Sequence, residues 1–180
     1  MAHSTEAKEN RQEAIPEAGV LGRLVTRLGD VFAIAIVLSA CALIFEVVMR
    51  YGFNAPTKWA HETVIFLTAI TFVFGGLYAA ATNKHIRVVL IYDLLTPKLR
   101  RAFNIGISLV CATATALFSW AAWLVVQRAV WTPAGEFRLE TSGSAWDPPT
   151  PGLMKLFLMG ILILMSVQFA VLAVNYLRRK

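Results

Sequence analysis

Residues 63–83 read TVIFLTAITFVFGGLYAAATN, with no charged side chain from end to end. At about 1.5 Å of rise per residue, a helix of that length spans about 30 Å, the thickness of a bilayer's hydrocarbon core. Glu62 stands just before the run and Lys84 just after it. A soluble domain has no use for so long an uncharged helix. Three more runs of the same kind flank this one. Val31 to Met49 is interrupted only by Glu46, while Ala102 to Gln127 and Leu156 to Leu177 carry no charge at all. The expected fold is an all-α integral membrane protein with four transmembrane helices, at about 29–49, 63–83, 102–127 and 156–177.

Composition agrees. Apolar residues make up 57% of the chain and charged ones 16%, against roughly 25% charged in ordinary soluble domains. The net charge of +6 raises the question of nucleic acid, but the basic residues gather at span ends and not on a separate basic module. The partner they indicate is the lipid bilayer, with no nucleic acid. Lys8, Arg11, Arg23, Arg27, Lys84, Arg87, Lys98, Arg100, Arg101, Arg178, Arg179 and Lys180 fall on one side of the spans. Arg50, Lys58, Arg128, Arg138 and Lys155 fall on the other. Lys and Arg accumulate in cytoplasmic loops, so both termini are expected in the cytoplasm. The acidic start and the full-length first span predict an uncleaved anchor and no signal peptide.

The remaining segments read as one small domain over 1–180. Residues 1–14 form a polar tail, and 15–28 an amphipathic stretch opened by Pro16. Leu21, Leu24, Val25 and Leu28 there follow helical spacing with Arg23 and Arg27 on another face. Two readings stand open: an interfacial helix lying along the membrane surface, or an extension of the first span. His85 to Leu95 is a second interfacial candidate. Thr96-Pro97 then restarts a helix, Thr as cap and Pro at the first helical position.

Candidate chemistry is sparse. Cys41 and Cys111 lie inside spans as small apolar residues, not as a disulfide or metal pair. His61 and His85 are 24 positions apart, about 36 Å along one helix, too far to share a haem. No span contains Pro, and no charge sits at a span's middle. Broken helices and buried charges are the marks of a carrier's own binding site. The sequence therefore predicts no enzyme, no cofactor, no metal site, and no carrier sufficient by itself.

What stands out is charge at one membrane boundary. Glu46 and Arg50 are four apart near the end of span one, and Glu62 opens span two with Trp59 on the same helix face. An intramembrane carboxylate is costly unless paired, so Glu46, Arg50 and Glu62 are expected to cluster, as a hairpin clamp or as a docking point for another subunit. Gly75-Gly76 in span two suggests close packing. Ser108, Ala112 and Ala116 in span three offer a small-residue face, within this chain or against a partner. The connection from Arg128 to Lys155, with Trp131, Trp146 and four prolines, is long enough to form a contact surface.

The run Arg50-Tyr51-Gly52-Phe53-Asn54-Ala55-Pro56, with Trp59 and Glu62, resembles the signature of the small membrane subunit of tripartite ATP-independent periplasmic (TRAP) transporters, the DctQ family. Gly75-Gly76, Tyr78 and His85-Ile86-Arg87-Val88 fit the same family. The resemblance runs over about 25–177 and is strongest over 45–101. It departs at position 89, Val here where an acid is frequent, and in Glu140 to Gly152, which match only in Trp and Pro character. The resemblance implies a scaffold subunit of a bacterial inner-membrane importer of organic acids, sodium-driven. Its partners would be a large membrane subunit and a periplasmic binding protein, with Trp131 and Trp146 toward the latter. The alternatives are a small self-associating channel or carrier and the membrane anchor of another complex. Thr68, Thr71, Thr113 and Thr115 are too scattered to line a pore, and no His lies deep in a span to serve an anchor of redox enzymes.

Overall fold

The computed structural model describes residues 14–82 and 96–178. Its elements are a 3-10 turn, Pro16–Ala18, and four helices: α1 (Gly19–Gly52), α2 (Lys58–Ala81), α3 (Pro97–Val130) and α4 (Thr150–Arg178). All four are long and apolar enough to cross a membrane. The described residues contain no strand beyond a single bridge between Trp131 and Phe137. The second interfacial candidate, His85 to Leu95, and nearly all of the polar tail lie outside the described residues.

The helices extend past the charge-free runs because Arg, Lys and Gln are good helix formers and do not end a helix on their own. At 34 residues each, α1 and α3 are about 51 Å long, well beyond a core of about 30 Å. The stretch 19–28 is therefore the first part of α1, in line with an extension of the span and not with a separate interfacial helix. Leu21 and Val25 pack on Phe74, Leu77, Ala81 and Ile161, while Leu24 and Leu28 stay exposed. Thr96 does stand at the N-cap of α3 with Pro97 next, but its hydroxyl makes no capping bond.

The helices form an open row in the order α1, α2, α4, α3. α1 packs on α2, α2 on α4, and α4 on α3, with only a marginal touch between α1 and α4. In a closed bundle every helix has two neighbours, whereas here the outer two have one each. Burial follows: 28% of the spanning window is buried in α2 and α4, but 11% in α1 and α3.

Seven-residue seams set the pairings. On α1, Val25, Phe32, Ser39 and Glu46 recur every seventh position, and all turn inward. A strict seven-residue repeat keeps one stripe facing a neighbour when two helices wind about each other. Phe32 stacks on Phe74 of α2 with ring centroids 3.9 Å apart. Gly29 lets the two helices close: a Cβ there would stand 2.7 Å from Cε2 of Tyr78.

On α3 the inward residues are Ser108, Ala112 and Thr115, and Ser166 of α4 donates to the carbonyl of Ala112 at 3.2 Å. Ala116 is exposed and does not join Ser108 and Ala112 in packing within this chain. Steps of four overshoot a 3.6-residue turn by about 40° each, so the second step carries Ala116 off the seam. The step from 112 to 115 holds it.

A strap closes one end of the row. Gly19, at φ +65°, takes the left-handed turn from Pro16–Ala18 into α1. Before that turn, the N–H of Ile15 donates to the carbonyl of Ala81 in α2 at 3.3 Å. From α4, Asn175 Nδ2 reaches the carbonyl of Glu17 at 2.7 Å, and Gln168 Nε2 that of Ala18 at 3.2 Å. Gln168 is fully buried. Arg101 of α3 adds hydrogen bonds to the carbonyls of Tyr176 and Leu177, satisfying groups that the end of α4 leaves open.

Candidate functional site

The opposite end of the row carries the α1–α2 turn and the α3–α4 connection, and most of the sequence-predicted site residues. In the last turns of α1, Arg50 donates to Glu46 Oε1 through Nε at 3.2 Å and Nη2 at 2.6 Å. The chain then reverses through Asn54, at φ 50°, a conformation Asn tolerates better than most residues. The N–H of Ala55 returns to the carbonyl of Met49 at 2.9 Å. Thr57 next stands at the N-cap of α2, where backbone N–H groups point outward and the helix dipole favours negative charge. Glu46 Oε2 fills that position, accepting the N–H of Thr57 at 2.9 Å and its hydroxyl as well.

The cluster is thus Glu46, Arg50 and Thr57, with four donors on one carboxylate. It is the hairpin clamp in geometry, and its acid is buried while Arg50 remains half exposed. Thr57 was missed because a threonine in a short turn carries no signal until a carboxylate is seen to reach it.

Glu62 is not part of the clamp. It lies on the far side of α2 and accepts a hydrogen bond from Ser142 of the α3–α4 connection at 3.3 Å. Trp59 and Glu62, about 60° apart around α2, reach different neighbours. Trp59 lies against Phe45 of α1, centroids 5.7 Å apart, and Glu62 lines the cavity against α4. Tyr51, Phe53 and Asn54 point outward from the turn, Tyr51 being 82% exposed.

The α3–α4 connection is built, not slack. The N–H groups of Arg138 and Glu140 return to the carbonyls of Val130 and Ala129 at 2.8 Å, and that of Gly152 reaches the carbonyl of Glu140 at 3.2 Å. Glu140 also pairs with Lys155. Gly152 is needed where the connection crosses α4, since a Cβ there would meet Leu139 at 2.7 Å. Ser142, Ser144 and Asp147 hold a compact turn, Ser144 Oγ accepting the N–H groups of Trp146 and Asp147 at 3.1 and 3.2 Å. The Ser-Gly-Ser run followed by Asp-Pro-Pro was the readable sign of this turn. Trp131 lies edge-on to Trp123, and both Trp131 and Trp146 are roughly half exposed on the outer surface.

Between α2, α4 and this connection lies a cavity of about 290 Å³, lined by His61, Glu62, Ile65, Phe66, Ser142, Thr150, Pro151 and Met154. Below it, α2 presents an outward stripe of His61, Ile65, Thr68, Phe72 and Gly75, all exposed. The spacing of four, three, four and three is that of a helix-packing seam. Phe72 is 83% exposed, and a Cβ added to Gly75 would meet nothing within 4 Å. The two glycines therefore separate: Gly76 faces Met165 of α4, while Gly75 has no neighbour.

Comparison with known proteins bears on this site. The family model described as the DctQ component of tripartite ATP-independent periplasmic transporters matches residues 39–179. Over 114 residues the chain is 32% identical to the ectoine TRAP transporter small permease protein TeaB of Halomonas elongata. That match takes in 61% of this chain and 58% of the relative's length.

Proposed function

We propose how this chain works from one premise: it belongs to the DctQ component family of tripartite ATP-independent periplasmic transporters, and is the small subunit of such a transporter and a multi-pass protein of the inner membrane. In this reading the chain is a brace. It holds the large membrane subunit, which moves the substrate, and both operate with a periplasmic binding protein that captures it. Both termini face the cytoplasm, which places the clamp, the cavity and the two tryptophans on the periplasmic side. The transport is sodium-driven and the cargo is an organic acid, as the family resemblance implies; TeaB is named for ectoine.

The observation that carries the reading is the outward stripe on α2. A packing seam is a poor surface to leave against lipid, because helices associate in membranes through close backbone approach at small residues. Thr68, Phe72 and Gly75 of α2 form the seat for a helix of the large subunit, with α1 as one rim and α4 as the other. α1 and α3 carry apolar residues around most of their circumference, as lipid-facing edges do.

The test is purification of the tagged chain after co-expression with the large subunit of its transporter, in mild detergent. One-to-one recovery, lost when Gly75 is replaced by Trp, is the expected result. Recovery of the chain alone or as a homo-oligomer would remove this reading and reopen that of a self-associating channel.

A further inference from the structure

The carboxylate of Glu62 is half finished. Oε1 has Ser142, but Oε2 is shut off from solvent and has no hydrogen-bond partner among the described residues. The cavity beside it is walled almost wholly by carbon, from Ile65, Phe66, Pro151 and Met154. An ionised oxygen facing such walls loses its water and gains nothing in return, a cost of a kind that proteins offset with a paired charge. The clamp shows the contrast within one molecule, since the two oxygens of Glu46 accept four hydrogen bonds between them.

The cavity's mouth is flanked by His61 and Ile65, both exposed and both the first members of the α2 stripe. Whatever helix lies along Thr68, Phe72 and Gly75 therefore passes directly over the opening. We propose that this cavity is a socket for one basic side chain, Arg or Lys, carried by the large-subunit helix that seats on the α2 stripe. Its charged end pairs with Glu62 and its carbon stem lies against Ile65, Phe66 and Met154. The long aliphatic stems of Arg and Lys suit such walls. The pairing deepens the brace reading and rests on it, adding a requirement of charge to one of shape.

An acid unpaired in the free subunit and paired in the complex has a distinctive signature. Replacing Glu62 by Gln, which keeps the shape and removes the charge, acts with opposite sign in the two states. The free chain melts at the same or a higher temperature. The complex weakens, with a dissociation constant raised about tenfold or more, as for truncation of one partner of a buried interfacial charge pair. A second variant, Met154→Trp, fills the cavity without touching the charge and weakens the complex likewise.

The measurements are thermal melting of the free chain and titration of the detergent-solubilised large subunit against wild type and both variants. Equal affinity for wild type and Glu62→Gln would overturn the socket while leaving the brace intact. Failure of the wild-type chain to bind the large subunit would overturn the brace itself. A third arm adds phosphatidylethanolamine to the free chain. If that lipid stabilises wild type and not Glu62→Gln, the cation in the cavity is a lipid ammonium and the socket is overturned.

Discussion

Glu46 Oε2 accepts the backbone N–H of Thr57 at 2.9 Å, so a side chain from the end of α1 caps the start of α2. The same carboxylate holds Arg50. Glu46→Ala removes the acceptor for all four donors and leaves the N–H of Thr57 without its carboxylate, so the melting temperature in detergent falls by several degrees. Arg50→Ala removes only the half-exposed partner and lowers it less. Equal losses would mean that the ion pair, and not the cap, holds the hairpin.

Gly29 and Tyr78 are coupled by contact. Gly29→Val places a branched side chain where even a Cβ approaches the ring to 2.7 Å, and should cost about 1–3 kcal/mol as an overpacked site. Tyr78→Ala in the same chain opens the space. The double variant is then more stable than the sum of the singles predicts, which a double-mutant cycle of melting curves measures.

Ala112 and Ala116 differ in direction although both are small. Ala112→Leu intrudes on α4 where Ser166 bonds its carbonyl, and lowers stability by about 1–3 kcal/mol. Ala116→Leu points outward and stays within about 0.5 kcal/mol of wild type. A comparison of the two melting curves decides between the seam described above and a strict four-residue face.

Gln168 is fully buried, and its Nε2 donates to the strap at the carbonyl of Ala18. Gln168→Ala removes that bond and leaves a void, costing about 2–4 kcal/mol. Cleavage of the 14–18 segment by added protease should accelerate in the same variant. Asn175→Ala, which removes a partly buried bond to Glu17, has a smaller effect of about 1 kcal/mol.

The spans were legible because charge is so costly in hydrocarbon that its absence over Thr63 to Asn83 admits one reading. Their order in the row was not. Every span is apolar on all sides, and the seam a helix uses depends on which neighbour arrives, so Val25, Phe32, Ser39 and Glu46 look like any other apolar and small residues until α2 is in place. The site was legible in part for a similar reason. Glu46 and Arg50 are on one helix at a fixed spacing, and that pair was readable. Glu62 bonds Ser142, eighty positions away, and local spacing carries no trace of such a partner. Ala116 leaves the seam on arithmetic, since each step of four turns about 40° around the helix while a step of seven turns only about 20°.

The strap has a consequence in time. Ile15, Glu17 and Ala18 leave the ribosome well before the side chains that secure Ala18 and Glu17, which lie 150 and 158 positions later, at Gln168 and Asn175. Neither bond can form until α4 is being made. While α1, α2 and α3 are synthesised, the strap has at most its backbone bond from Ile15 to Ala81, and α4 supplies the two side-chain fastenings. A chain interrupted between α3 and Gln168 leaves the carbonyls of Glu17 and Ala18 without those partners, and a protease that reads unpaired backbone can find them there.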